Sequence, residues 1–353
     1  MARSFRPPGF DPSAPRFPGP GLSRRRLLLS LGALTSAAAV AAAAARLPAV
    51  PGGALVEVKR TGRALGAQVA MTVLHRDPAA GERALTAAFA ELDRVDDLMS
   101  VYRPASQVSR LNRDGRLHDP HPCLVEVLRA ALAMSARTGG AFDVTVGPLW
   151  QAYAAAQGAG HLPEPAAVRE ALERVGWRNL IVAPDRVRLA AGMSITLNGI
   201  AQGYAADRAL AALRAHGAEH ALVDTGEVGS IGRNPAGDAW SAGIQHPRRA
   251  DAYIALVRLD GRCISTSGDY ATTFTPDRSA NHIFDPATGR SPGAFASVTV
   301  VAPTGIAADA LSTAVFVLGP ERGLDLIRRT PGADALVVLK DERVLVTDAF
   351  PRA

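Results

Sequence analysis

The chain has 353 residues, enough for one large domain or two ordinary ones, and its formal net charge is +6. The first 46 residues carry seven arginines against a single acid, Asp11, whereas the rest of the chain holds 32 basic and 32 acidic residues. Because the excess charge belongs to the N-terminal segment, the neutral remainder argues against a nucleic-acid-binding surface.

The N-terminal segment has the pattern of an export signal. Paired arginines in SRRRLL, residues 23–28, precede nineteen uncharged residues, Leu27–Ala45, as in twin-arginine signals. We predict that residues 1–50 form this signal and a Pro-rich leader, cleaved near residues 43–50, and that the protein is periplasmic. The alternative is an uncleaved membrane anchor, because the uncharged stretch approaches a spanning length. No cysteine follows the leader, which excludes a lipid-anchored N-terminus.

The first half of the mature chain mixes strands and helices without a regular alternation. Residues 54–75 predict two strands around a turn at Thr61-Gly62, and a loop-rich passage begins at Phe142. Short strands are predicted on either side of Asp185. Apolar residues at helical spacing predict four helices, at residues 81–100, 123–138, 164–175 and 200–217.

Strands dominate the second half of the chain. Residues 308–320 predict a buried helix that ends at Gly319-Pro320, and residues 322–330 predict another helix. The remaining apolar segments predict strands and hairpins at residues 220–232, 240–247, 252–266, 296–304 and 335–348. Since no repeat or low-complexity linker divides residues 54–350, we predict one α+β domain, with a two-lobed arrangement as the alternative.

The two cysteines, Cys123 and Cys263, lie 140 residues apart without a C-x-x-C pair. Outside the cytoplasm they allow one disulfide, but buried thiols are the favoured interpretation. Zinc-ligand spacing is absent from the sequence.

Four stretches hold more glycine and polar residues than their apolar surroundings require. Residues 196–208 join a strand through Asn198-Gly199 to a helix, a geometry in which backbone amides can meet a phosphate, although most such joints are only tight turns. Residues 263–274 offer hydroxyls or an ordinary turn, and residues 281–290 place His282 before a turn. The fourth stretch is the helix at 308–320.

Asp309 is unexpected at the start of so apolar a helix, because a buried unpaired carboxylate costs several kcal/mol. A helix N-cap is one explanation. The other is a hard cation held by Asp309 and Thr313, which share one helix face at i, i+4 spacing.

Taken together, these stretches resemble a known family over about residues 54–345, nearly the whole mature chain. The matching blocks, in order, are ALGAQVAMTV, ELDRVDDLMSVYRPASQVSRLN, AFDVTVGPLW, LNGIAQGYAADRA, ISTSGDY, HIFDPATGR and ASVTVVAPTGIAADALSTAVFVLGPERG. Their order is similar to that of the ApbE-type FAD:protein FMN transferases. The resemblance implies largely antiparallel sheets with flanking helices. It also implies Mg²⁺-dependent transfer of the FMN half of FAD to a Ser or Thr hydroxyl of another protein, with release of AMP.

The resemblance also assigns a flavin site. Two of its positions depart from the family pattern: Thr196 stands where many members have Asp, and Gln202 where Lys or Glu is usual. These departures change the charge expected around the flavin. The positions that match flavin-contacting residues are Leu65, Tyr102, Ala141, Phe142, Asp143, Thr196, Gln202 and Ile264.

For the metal, the resemblance implies a backbone oxygen of Gly199 and the side chains of Asp309 and Thr313. Ser312 matches a position where some members have a further ligand and others alanine. His282 falls in the motif implied to serve the transfer chemistry. The metal assignment accounts for Asp309, Thr313 and the Gly199 joint together, so we prefer it to the N-cap.

Two other functions remain open on the sequence. One is a periplasmic FAD pyrophosphatase with water as the nucleophile, and the other is a non-enzymatic flavin-binding carrier. For the transferase, the expected acceptors are exported or membrane redox proteins, such as subunits of sodium-pumping or electron-transferring complexes, or a nitrous-oxide-reductase regulator.

Overall fold

The computed structural model describes residues 3–5 and 54–353. The predicted export signal and most of the leader lie outside the described residues; within the leader only Arg3–Phe5 is described, as a short strand. None of the helices in the described ranges is long and apolar enough to cross a bilayer.

An antiparallel sheet of nine strands forms the centre of the molecule, in the order β1-β14-β13-β12-β11-β8-β7-β3-β2. A two-stranded sheet pairs β9 with β10, and a three-stranded sheet has the order β4-β6-β5. The strands are β1 Arg3–Phe5, β2 Val56–Ala64, β3 Ala67–His75, β4 Arg116–His118, β5 Ile181–Val182, β6 Arg186–Arg188, β7 His220–Asp224, β8 Val228–Ile231, β9 Trp240–Gln245, β10 Tyr253–Leu259, β11 Cys263–Gly268, β12 Phe295–Ala302, β13 Asp334–Leu339 and β14 Val344–Val346.

Helices pack on one face of the large sheet. The buried residues of most helices join those of the strands in the main hydrophobic core, whereas the two helices within residues 147–172 pack into a separate third core. The β9–β10 hairpin covers a second core on the other face of the sheet. The helices are α1 Pro78–Met99, α2 Gln107–Asp114, α3 Pro122–Arg137, α4 Gly147–Gly158, α5 Pro165–Leu172, α6 Ala201–Ala215 and α7 Gly305–Arg328. The α+β prediction of a single domain with largely antiparallel sheets and flanking helices is confirmed.

Two local predictions were wrong. The first hairpin turns at Leu65-Gly66, where both residues have positive φ (53° and 74°), and not at Thr61-Gly62, which is paired within the sheet. Positive φ at both turn residues matches the right-handed twist of the strands in a two-residue hairpin. This geometry, and not the Thr-Gly pair in the sequence, sets the position of the turn. The predicted loop-rich passage after Phe142 contains α4, and its helix begins with Gly147-Pro148.

The predicted helices at 308–320 and 322–330 are continuous as α7, which is interrupted at Gly319 by a non-helical conformation (φ 79°, ψ 179°) before Pro320. The predicted stop is therefore a kink. Both cysteines are thiols, and Cys263 is buried in the main core. The preference for thiols over a disulfide is confirmed.

Candidate active site

Asp309 lies on the second turn of α7, where its side chain is only 4% exposed. The N-cap of α7 is Thr304, whose hydroxyl oxygen accepts a hydrogen bond from the Ala307 amide. The reading of Asp309 as the cap of its own helix is therefore wrong. Its carboxylate instead crosses to α6, where Oδ2 accepts a hydrogen bond of 3.0 Å from the Gly203 amide.

The N-terminal turns of α6 and α7 cross in close contact. A Cβ on Gly203 would lie 2.1 Å from the carbonyl oxygen of Gly305, and a Cβ on Gly305 would lie 2.3 Å from that of Gly203. Glycine at both positions permits this approach. Asp207 of α6 returns the contact, accepting hydrogen bonds from the amides of Gly305 at 2.6 Å and Ile306 at 2.9 Å. Each helix thus caps the other with a carboxylate, and both dipoles favour that charge.

Hydroxyl groups surround the next turn of α7. Ser312 is fully buried, and its Oγ lies 2.8 Å from Ser267 Oγ and 3.3 Å from Ser265 Oγ on β11. Thr313 Oγ1 lies 3.2 Å from Ser267 Oγ. Gly199 approaches from the loop before α6, where a Cβ would stand 2.8 Å from Thr313 Oγ1. The structure therefore brings together all four predicted metal residues, Gly199, Asp309, Ser312 and Thr313.

Two buried carboxyl groups dominate the electrostatics of this cluster. Burial raises the pKa of Asp309 to about 7, and the charge of Asp207 adds to this effect, whereas the Gly203 amide opposes it. Glu227 is 7% exposed, and burial, with the charge of Asp309, raises its pKa well above the ordinary value. Glu227 Oε2 is buried without a hydrogen-bond partner. Two acids that oppose each other's ionisation in this way are stabilised when a cation joins them.

The oxygen donors fit a small divalent cation. Carboxylate, hydroxyl and backbone carbonyl oxygens are the ligands that Mg²⁺ prefers, and Asp309, Thr313 and Gly199 supply one of each type. Within residues 54–353 no group of three or more His, Cys, Asp and Glu side chains is arranged to hold a metal. This finding is compatible with a site whose ligands are mostly hydroxyl and backbone oxygens.

The strand predicted before Asn198-Gly199 is not formed, and the joint to α6 is a loop and turn. Its backbone amides are less available to a phosphate than the sequence suggests. The amides of Ile200 and Ala201 both donate to the carbonyl oxygen of Leu197. The Gly203 amide donates to Asp309. Any phosphate-binding role for the N-terminus of α6 must therefore use the other amides of the joint.

The predicted flavin residue Asp143 ties two loops together. Its Oδ1 accepts from the amide and hydroxyl of Thr145, at 2.8 and 2.6 Å, and its Oδ2 accepts from the Trp177 amide at 3.0 Å. Burial raises the pKa of Asp143, and these hydrogen bonds oppose that shift. Phe142 is buried in the main core beside the half-buried Ala141. The carboxylate is thus committed to holding the loop.

The four apolar flavin positions do not form one continuous wall. Leu65 packs against the main core at the tip of the β2–β3 hairpin, and Tyr102 is 68% exposed. Ile264 points to the second core on the opposite face of the sheet from Phe142. Alternation of side chains along β11 explains this, because Cys263 and Ser265 face the helices. Their contact with a flavin therefore stays a prediction, in which Leu65, Tyr102, Phe142 and Ile264 would reach the ligand from separate parts of the fold.

The two positions that depart from the family pattern both lie near the cluster. The Thr196 amide donates to the carbonyl oxygen of Val144, and the Thr196 hydroxyl oxygen accepts from the Asn198 amide at 3.4 Å. Gln202, on the first turn of α6, donates through Nε2 to the carbonyl oxygen of Thr225 at 3.4 Å. Gln202 therefore lies against the turn that leads to Glu227.

His282 lies in a loop that is bonded to the preceding segment. Its amide donates to the carbonyl oxygen of Thr272 at 3.1 Å, and its ring Nδ1 lies 3.3 Å from the same oxygen. Asp285 braces the following turn, accepting from the Ala287 amide and the Thr288 hydroxyl. The ring of His282 thus faces a backbone carbonyl oxygen, which can only accept a hydrogen bond and so favours the tautomer protonated at Nδ1.

Comparison with known proteins identifies the family of this chain. The model of the ApbE family matches residues 65–337. The chain belongs to the ApbE family. Among its ApbE relatives, the FAD:protein FMN transferase of Salmonella typhimurium is 31% identical over 299 residues, covering 79% of this chain and 83% of that protein. The enzyme of the same name from Treponema pallidum is 33% identical over 314 residues, with coverages of 82% and 86%.

Solved ApbE structures agree in fold. The ApbE protein of Thermotoga maritima superposes with a TM-score of 0.76 at 29% identity, over 84% of this chain and all of that one (100%). The apo form of the flavinyl transferase ApbE of Pseudomonas stutzeri gives 0.73 at 32% identity, with coverages of 84% and 96%. The resemblance seen in the sequence motifs is confirmed.

Glu227 is a buried acid beside this cluster that the sequence reasoning did not single out. It lies in the turn between β7 and β8, where DTGEVG reads as an ordinary Asp-Thr-Gly turn. The available signal was an acid placed between turn residues and the start of a short strand. Only the pairing of β8 with β11 shows that this acid is buried among the serines of β11.

Proposed function

We propose that this protein is an FAD:protein FMN transferase that moves the FMN half of FAD to a Ser or Thr hydroxyl of an acceptor protein, with Mg²⁺ required and AMP released. The names of its curated relatives support the transferase activity. The observation that carries the proposal is the cluster at the crossing of α6 and α7. There, Asp309, Thr313 and Gly199 offer three types of hard oxygen at one place.

In the proposed reaction, the acceptor oxygen forms a bond to the FMN phosphorus while the bond from that phosphorus to the bridging oxygen of the pyrophosphate breaks. AMP leaves with the bridging oxygen. Asp309, Thr313 and the backbone oxygen of Gly199 would hold the cation, which when bound neutralises the charge that develops on the pyrophosphate oxygens. The mutual capping of α6 and α7 fixes the first of these ligands, because Asp309 is anchored through the Gly203 amide.

The proton of the acceptor hydroxyl needs a base, and His282 is our candidate. The contact of Nδ1 with the carbonyl oxygen of Thr272 favours the tautomer protonated at Nδ1. The basic lone pair is then on Nε2. An imidazole titrates in the range that suits a general base near neutral pH.

The activity is tested by incubating the purified protein with FAD, Mg²⁺ and candidate acceptor proteins, followed by in-gel flavin fluorescence. Fluorescence on the acceptor that requires Mg²⁺, with AMP formed in equal amount, supports the proposal. Release of both FMN and AMP with no labelled acceptor would make the protein an FAD pyrophosphatase. Bound FAD that stays intact would make it a carrier, and either of these results would overturn the transferase proposal.

We also propose that the protein is exported by the twin-arginine route and acts in the periplasm. The motif SRRRLL before an uncharged stretch supports this. The proposed acceptors are exported or membrane redox proteins, of the electron-transfer-subunit or nitrous-oxide-reductase-regulator type, since only these would meet an exported transferase.

A further inference from the structure

Glu227 lies directly opposite Ser265 across two paired strands. Gly229 pairs with Cys263 and Val228 with Ile264, so the same antiparallel register places Glu227 beside Ser265. Cys263 packs in the main core on the helix side, and residues two apart share a face. The side chain of Glu227 therefore points to the same side as Ser265, toward α7.

The two oxygens of Glu227 are in different situations. The Ser265 hydroxyl and the Thr266 amide stabilise its carboxylate. Oε2 is buried without a hydrogen-bond partner, and Glu227 as a whole is only 7% exposed. A buried acceptor that is left unpaired destabilises the fold, and more so when it is charged, so such atoms call for an explanation.

What surrounds Glu227 suits a cation. Ser265 Oγ is 3.3 Å from Ser312 Oγ, which precedes Thr313, contacts Ser267 Oγ at 2.8 Å and donates to the carbonyl oxygen of Asp309 at 2.9 Å. The charge of Asp309 acts directly on Glu227. Gln202, the neutral residue of the neighbouring helix turn, donates to the carbonyl oxygen of Thr225 and not to Glu227. The charges that act on this carboxylate are those of two other carboxylates, Asp309 first and Asp224 after it.

Resting on the proposed function, we infer that Glu227 is a second carboxylate ligand of the divalent cation held by Asp309 and Thr313. Its ligating atom is Oε2. Ser265 and the Thr266 amide orient the group from the other oxygen, as partners of metal ligands commonly do. The cation thereby neutralises two buried charges, which explains how a pair of acids persists in so apolar a place.

The test measures binding of Mg²⁺ alone to the FAD-free protein by isothermal titration calorimetry. Glu227→Gln keeps the size and the acceptor toward Ser265 but removes the charge, and we expect the affinity to fall by about 10-fold or more. Asp224→Asn is the matched control. It removes a charge from the same turn and retains an acceptor for the Gly226 amide, which Asp224 now binds at 2.9 Å. We expect an affinity within about 2-fold of the wild type for this control, since Asp224 is exposed and its charge acts on Glu227 less than that of Asp309 does.

The outcomes separate this inference from the proposed function. If the wild type binds no Mg²⁺, the metal requirement of the proposed function fails and the role of Glu227 fails with it. If Asp309→Asn loses affinity while Glu227→Gln keeps that of the wild type, only the inference about Glu227 is overturned. Equal losses in Glu227→Gln and Asp224→Asn would also overturn it, because general charge would then explain the effect.

Melting in EDTA and in Mg²⁺ provides a readout that folding defects do not imitate. Glu227→Gln should melt at or above the wild type in EDTA, since a buried charge is gone, and should gain less from Mg²⁺. If Glu227→Gln does not fold, Glu227→Asp takes its place in the same titration. The shorter side chain withdraws the ligand oxygen, so weaker binding is expected, and wild-type affinity would overturn the inference.

Discussion

Replacing Asp309 by Asn should make the metal-free protein more stable, although the residue lies at the centre of the proposed site. Asn keeps an oxygen that can accept the hydrogen bond from the Gly203 amide, now 3.0 Å long. What it removes is a carboxyl group whose pKa is raised from 3.8 to about 7, chiefly by burial. The folded state then holds a proton on Asp309 that the unfolded state has already lost.

The magnitude and its sign follow from this shift. Above the folded pKa, ionising Asp309 costs the native state about 4 kcal/mol, at about 1.4 kcal/mol per pKa unit. The native state binds more protons than the unfolded state between the two pKa values, so the stability of the wild type falls as the pH rises from about 4 to about 7. A neutral acceptor bonds less strongly than a charged one, which reduces the gain by about 1 kcal/mol. We therefore expect about 3 kcal/mol at pH 8, or roughly 5 °C for a domain of about 300 residues.

Melting curves in EDTA at several pH values measure this effect. The advantage of Asp309→Asn should be largest near pH 8 and should shrink by about 2–3 kcal/mol toward pH 5, where Asp309 of the wild type is protonated. Saturating Mg²⁺ should reverse the order, because the wild type gains stability from the cation and the variant does not. Thr313→Val provides the uncharged comparison: it should weaken the response to Mg²⁺ while leaving the pH dependence intact.

The reasoning would be refuted by one combination of results. If Asp309→Asn melts like the wild type in EDTA at every pH and gains as much from Mg²⁺, Asp309 is neither a strained acid nor a ligand. Its function would then be limited to capping α6 through Gly203, for which Asn serves almost as well.

Three further predictions concern other parts of the molecule. His282→Ala should keep FAD binding, measured by fluorescence titration, but slow single-turnover flavin transfer by about 10²–10⁴-fold; a rate within a few-fold of the wild type would assign the base elsewhere. Gly203→Ala should destabilise the fold by about 3 kcal/mol or more, because its Cβ would meet a backbone oxygen at 2.1 Å, whereas Gly158→Ala, with open space around it, should melt like the wild type; similar melting of both variants would contradict the close helix crossing. Replacing Arg24 and Arg25 by Lys should retain the protein in the cytoplasm on cell fractionation, and unchanged recovery from the periplasm would disprove twin-arginine export.

Local patterns in the sequence were sufficient for much of the fold. The spacing of apolar residues predicted α1, α3 and α6 nearly to their ends. A helix that buries one face repeats its apolar residues about every 3.6 positions, whichever element covers that face. The first hairpin was found but its turn was misplaced. Its position depends on the positive φ of Leu65 and Gly66, a property that leucine does not reveal.

For the site, the sequence by itself determined the family, through motifs in a fixed order, and it singled out Asp309, Thr313, Gly199 and His282 as candidate residues. Tertiary structure decided what Asp309 does, because its partner Gly203 lies 106 residues away on another helix. It also decided that Glu227 is buried opposite Ser265. Periodicity along a chain specifies which face of an element is covered, but not which element covers it. Strand order and register set that choice, and they arise only when the whole sheet is assembled.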